Sequence, residues 1–102
     1  MMTYTEINKQ VNDKYLSTDE KAVLQEFIVL CTDKIKGQFP GQDTIHVPKV
    51  IIEDVFRNRK IPMKRQIIIM YWLEQDANES GWTMTTDEDY LLLRQMSNAR
   101  LY

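Results

Sequence analysis

Pro48-Lys49-Val50-Ile51-Ile52-Glu53-Asp54-Val55-Phe56-Arg57-Asn58-Arg59-Lys60-Ile61-Pro62-Met63-Lys64-Arg65-Gln66-Ile67-Ile68-Ile69-Met70-Tyr71-Trp72-Leu73 is the stretch whose reading decides the fold. Two apolar runs each begin just after a proline. Proline has no N–H to lose in a first helical turn, and its φ is already helical. Pro48 and Pro62 therefore read as the starts of two short helices joined by a basic turn. The first buries Ile51, Ile52, Val55 and Phe56 and turns Glu53 and Asp54 to water. The second is less plain, because the continuous apolar run 67–73 has no period of its own. Pro62 before it, Lys64, Arg65 and Gln66 within it, and Glu74 and Gln75 after it favour helix. The alternative is a hairpin pairing 67–74 with 81–85.

Upstream, Ser17-Thr18-Asp19-Glu20 is a capping box with two acids in the first turn, where the helix dipole favours them. Val23, Leu24, Phe27, Ile28, Leu30, Cys31 and Ile35 then form the wide stripe of a core helix, closed by Lys34, Lys36 and Gly37. Thr44-Ile45-His46-Val47 reads as a brief strand, since Val47 precedes a proline and prefers extended backbone. At the N-terminus, Thr3-Tyr4-Thr5-Glu6 suggests a further cap, so 1–16 is expected to be a weak helix or an arm. Downstream, Gly81 to Thr85 reads as an edge strand. Thr86-Asp87-Glu88-Asp89 reads as a third cap, opening a final helix with Tyr90, Leu92, Leu93 and Met96 within 86–102.

The 102 residues make one domain with a modest core. With 43% hydrophobic and 27% charged residues, and only 3 glycines and 3 prolines, the chain has the composition of a globular protein. Its formal net charge of −2 argues against a surface wrapped throughout by nucleic acid. The single cysteine, Cys31, excludes an internal disulfide and fits a reducing, cytoplasmic setting. The first residues lack the pattern of a signal peptide, and the longest apolar run is far short of a membrane span. No membrane partner is expected.

The order helix, strand, helix, basic turn, helix, hairpin over residues 18–85 resembles the winged helix-turn-helix proteins. The expected fold class is thus mainly α with a small β element, a winged-helix-like single domain, with a small helical bundle as the alternative. Residues 17–85 form its helix-turn-helix-like core. In such proteins the second helix of the pair enters the major groove with its N-terminal end. The resemblance implies Met63, Lys64, Arg65 and Ile68 as the residues facing bases, with Arg57, Arg59 and Lys60 on phosphates. Two departures stand out. The second helix is apolar after Gln66, and the hairpin strand carries no Arg or Lys.

Charge is segregated along the chain. Residues 57–65 hold five bases and no acid, whereas 74–89 hold six acids and no base. The simplest reading is a solvated turn whose bases sit beside the acids of neighbouring elements. As function, the segregation points to two classes: a small regulator of transcription binding duplex DNA, or an acidic protein-binding adaptor or inhibitor of the kind phages and other mobile elements encode. The second would use Glu74, Asp76 and Glu79; a homodimer is compatible with either. No enzyme is expected, and no catalytic residue, metal or cofactor. His46 is the lone histidine, Cys31 falls on an apolar helical face, and three or four converging metal ligands are not to be found in the sequence.

Overall fold

The computed structural model describes residues 15–96. Its elements are α1 (Thr18–Lys36), β1 (Thr44–Pro48), α2 (Lys49–Asn58), α3 (Met63–Glu79), β2 (Trp82–Thr86) and β3 (Tyr90–Gln95). Three helices lie with a small antiparallel sheet of strand order β1-β3-β2, so the last strand is the central one. The expected arm at 1–16 lies almost wholly outside the described residues.

Helix α1 begins where its cap predicts. Ser17 Oγ accepts from the Glu20 N–H at 3.2 Å, and Glu20 Oε1 accepts from the Ser17 N–H at 2.8 Å. Val23, Phe27 and Cys31 are buried along one face, at the i, i+4, i+8 spacing of a helix stripe. Strand β1 alternates cleanly: Ile45 and Val47 point into the core and His46 points out. Out there the His46 ring meets Tyr90 edge-on at 5.2 Å. Pro48 ends the strand and caps α2, and the first free N–H of that helix, from Lys49, donates to the Asp89 carbonyl at 2.9 Å.

The turn from α2 to α3 is a Schellman closure. The Ile61 N–H returns to the Phe56 carbonyl at 3.0 Å and the Lys60 N–H to the Arg57 carbonyl at 3.1 Å. Ile61 packs against the core beneath the turn. The closing residue needs a left-handed backbone, and here it is Lys60, with φ 55°. Glycine is the usual occupant, because a side chain in that conformation costs about 1–2 kcal/mol.

The apolar run 67–73 lies wholly inside α3, not in a strand. Ile69 and Leu73 are its buried members. Together with Val23, Phe27, Ile52, Phe56, Leu91 and Leu93 they form one core, in which the Phe27 and Phe56 rings meet edge-to-face at 5.2 Å. Ile51, expected inside, is exposed, as are Phe39 and Trp72.

Of the final helix and tail expected over 86–102, the helix is corrected to strand β3, and 97–102 lie outside the described residues; a helical bundle is likewise corrected by the sheet. The cap signal itself is chemically sound. Asp87 Oδ1 accepts from the N–H groups of Asp89 and Tyr90 at 2.8 and 2.7 Å. Those are the two bonds an N-cap makes, and an Asx turn makes the same ones. Tertiary pairing decides the conformation beyond the turn. β3 fits between β1 and β2, with Ile45 opposite Leu93 and Val47 opposite Leu91.

Candidate interaction surface

Helix α3 presents two apolar faces. One faces the core through Ile69 and Leu73. The other carries Met63, Ile67 and Tyr71 at i, i+4 and i+8, which are 68%, 64% and 40% exposed. Trp72 lies beside Tyr71, their rings in edge contact at 5.2 Å. Met63 and Ile67 stand mostly in water, and the partly covered Tyr71 and Trp72, 40% and 37% exposed, continue the apolar surface along the helix, unlike the scattered singles of an ordinary surface.

The turn supplies cations at one end of this stripe. Lys60 and Lys64 are exposed. Arg57 bonds Asp54 at 2.8 Å, both groups in water, and Arg59 reaches Glu26 at 3.5 Å. Exposed pairs of this kind are worth well under about 1 kcal/mol and exchange readily for another anion. Lys60, Met63 and Arg57 converge with Glu53 around one shallow groove. Glu53 also lines the neighbouring groove with Glu88 and Asp89. Along the outer face of α2 the charge thus changes sign, from the basic turn to an acidic hairpin tip formed by Asp87, Glu88 and Asp89. The Asp87 carboxyl is held below its ordinary range, first by the backbone N–H of Tyr90 and then by that of Asp89.

Arg65, expected to face bases, is turned the other way. Its Nε donates to Glu20 Oε2 at 2.8 Å and one terminal nitrogen to Glu20 Oε1 at 2.9 Å, while that nitrogen also reaches the Tyr15 carbonyl at 2.6 Å. The fork ties α3 to the cap of α1. Ile68 is only half-exposed. Of the seven residues expected at DNA, the structure therefore groups Arg57, Arg59, Lys60, Met63 and Lys64 about the turn and commits Arg65 elsewhere. The three acids of the alternative site do not gather into one exposed patch: Glu79 is exposed, Glu74 and Asp76 are half-buried, and Asp76 lines a cleft with Cys31.

That cysteine is buried as expected. Desolvation, aided by the nearby Asp76 charge, raises its pKa to about 11, so hardly any thiolate exists at neutral pH. Labelling of native protein by a thiol reagent at pH 7.5 should accordingly be at least about tenfold slower than in urea-unfolded protein. Equal rates would show the thiol to be exposed. Among the described residues no group of three or more His, Cys, Asp and Glu is placed to hold a metal, and no helix is long and apolar enough to cross a membrane.

The sequence matches no protein-family model, no curated protein and no solved structure.

The outward stripe is missed at the sequence level although its spacing is visible there. In an unbroken apolar run, Met63, Ile67 and Tyr71 separate from Ile69 and Leu73 only once the inward face is known.

Proposed function

We propose that the chain is a winged helix-turn-helix-type domain that serves as a protein-docking module. It seats a partner segment that is apolar at its centre and acidic at one end. The order α1-β1-α2-α3-β2-β3 with β3 central supports the winged-helix reading. The observation that carries the docking role is the exposure of Met63 and Ile67 one turn apart on α3, next to Lys60 and Lys64, with the partly covered Tyr71 and Trp72 continuing the apolar surface. Methionine and aromatic side chains are the types enriched at interfaces, and flanking charges orient the partner and speed encounter. A lysine kept at the strained αL position of the turn puts a cation at that end of the stripe at some cost in stability.

Duplex DNA is the second reading, favoured by the acid-free start of α3 and the four cations about the turn. Against it stand the hairpin and the local charge balance. β2 and β3 end flush with β1, since Pro48 already pairs with Tyr90 at the hairpin's tip, so no long wing projects. That tip is acidic where a phosphate contact needs bases. Around the turn Arg57 is paired with Asp54, Arg59 with Glu26, and Glu53 sits in the groove with Lys60.

A photo-crosslinking amino acid at position 67 of the full chain tests the choice in cells. Crosslinking to one protein, through a peptide rich in Asp or Glu and apolar residues, is the expected result. Adducts to nucleic acid, or a duplex shifted at low salt with affinity falling steeply as salt rises, would move the assignment to DNA. Ile67→Glu is expected to weaken the protein complex about 30-fold or more, as loss of a central interface anchor does. Because the side chain is exposed, stability should stay within about 0.5 kcal/mol of the parent.

A further inference from the structure

A second site lies away from the α3 stripe. On α1, Ile28, Cys31, Thr32 and Ile35 recur at i, i+3, i+4 and i+7, and on α3 and its C-cap Leu73, Asp76, Ala77 and Ser80 recur in the same way. These are the facing stripes of two packed helices. In the half nearer the cap of α1 the contact is filled by Val23, Phe27 and Ile69. In the other half the facing side chains include Cys31, Thr32, Ala77 and Ser80, which are too small to fill the same space. A cleft of about 250 Å³ results, lined also by Trp82 and Leu93 of the sheet.

We propose that this cleft binds a small apolar molecule bearing a protonated amine, of about the size of an arylalkylamine. The volume is larger than the roughly 150 Å³ that accommodates a benzene ring and just below the range of drug-sized pockets. The walls are chiefly aliphatic and aromatic. The single charged group among them is the Asp76 carboxylate, which has no ion pair among the described residues. A carboxylate beside an apolar hollow selects for a cation, rejects an anion, and leaves a neutral isostere without its best contact. Trp82 in the same wall offers an aromatic surface on which an ammonium is also favoured. Thr32 and Ser80 hydroxyls supply further acceptors for its N–H groups. None of this depends on the docking role of α3, whose exposed stripe is made of other residues.

The test uses the full chain carrying Trp72→Phe, so that Trp82 alone reports by fluorescence. Phenethylammonium is titrated beside its neutral analogue 2-phenylethanol and its anionic analogue 3-phenylpropionate. Saturable binding of the ammonium is expected, at least about tenfold tighter than either analogue. Asp76→Asn should erase that preference while the neutral analogue still binds. Ala77→Leu fills the cleft and should abolish all binding with the circular dichroism spectrum unchanged; if it misfolds, Ala77→Val replaces it. No saturable change up to about 10 mM, a value near the floor of useful affinity, would overturn the proposal. So would equal affinity for the three probes, or binding that survives a folded cleft-filling variant.

Discussion

Arg65→Ala is expected to lower the stability of the fold by about 2 kcal/mol, the scale for breaking a hydrogen-bonded charge pair that is mostly out of water. The two side chains are 27% and 11% exposed. Removing the guanidinium strands Glu20, which must still serve the cap of α1. The same pair makes stability depend on pH. The Arg65 hydrogen bonds, chief among the causes, hold the Glu20 carboxyl down at about 2 from an ordinary 4.5. A carboxylate whose pKa is lower in the folded state stabilises it fully above the unfolded value. That contribution is lost as pH falls from about 4.5 through about 2. Urea denaturation at pH 7 and pH 3 should show the parent losing stability between the two and Arg65→Ala losing clearly less. Equal losses would mean that the fork does not govern the Glu20 carboxyl. Arg65→Lys keeps the charge without the two-pronged geometry and should fall between.

The second large effect distinguishes strand from helix at 90–95. Leu91 and Leu93 are almost fully buried, whereas Leu92 on the other face of β3 is partly exposed. Leu91→Ala and Leu93→Ala should each cost about 3 kcal/mol or more, and Leu92→Ala about 1 kcal/mol. Denaturant midpoints at unchanged slope report the difference. Comparable costs for all three would contradict the alternation.

These two cases show where local sequence suffices and where it does not. The bounds of α1 are legible because each end has its own chemistry: Ser17 and Glu20 at one end, Lys34, Lys36 and Gly37 at the other. The starts of α2 and α3 are legible from Pro48 and Pro62. β3 is not, because Asp87 makes the same two hydrogen bonds in a helix cap and in a hairpin turn. Pairing with β2 on one side and with β1, far upstream, on the other selects between them. Arg65 misleads for a related reason. A cation in the first turn of a helix opposes the dipole and invites an outside anion as its explanation. The anion is Glu20, forty-five positions earlier. The basic turn can be read as a cluster, but the Glu26 partner of Arg59 comes from α1 and depends on how the helices pack. The cleft is invisible in the sequence because it is a property of small residues facing one another across two helices.

Central placement of the last strand also bears on the order in which the chain is expected to assemble. β2 and β3 meet through a short loop, Thr86 with Leu91 and Trp82 with Gln95. β1 reaches β3 only across the whole helix pair, Pro48 with Tyr90 and Thr44 with Arg94. Closing the longer loop costs about 2 kcal/mol more entropy, so the hairpin is expected to form first and β1 to join last. The helix pair is thus a covalent tether holding β1 at high local concentration beside its partner. A single cut in the exposed turn at 59–62 would leave most contacts in place yet turn that final pairing into an encounter between two molecules.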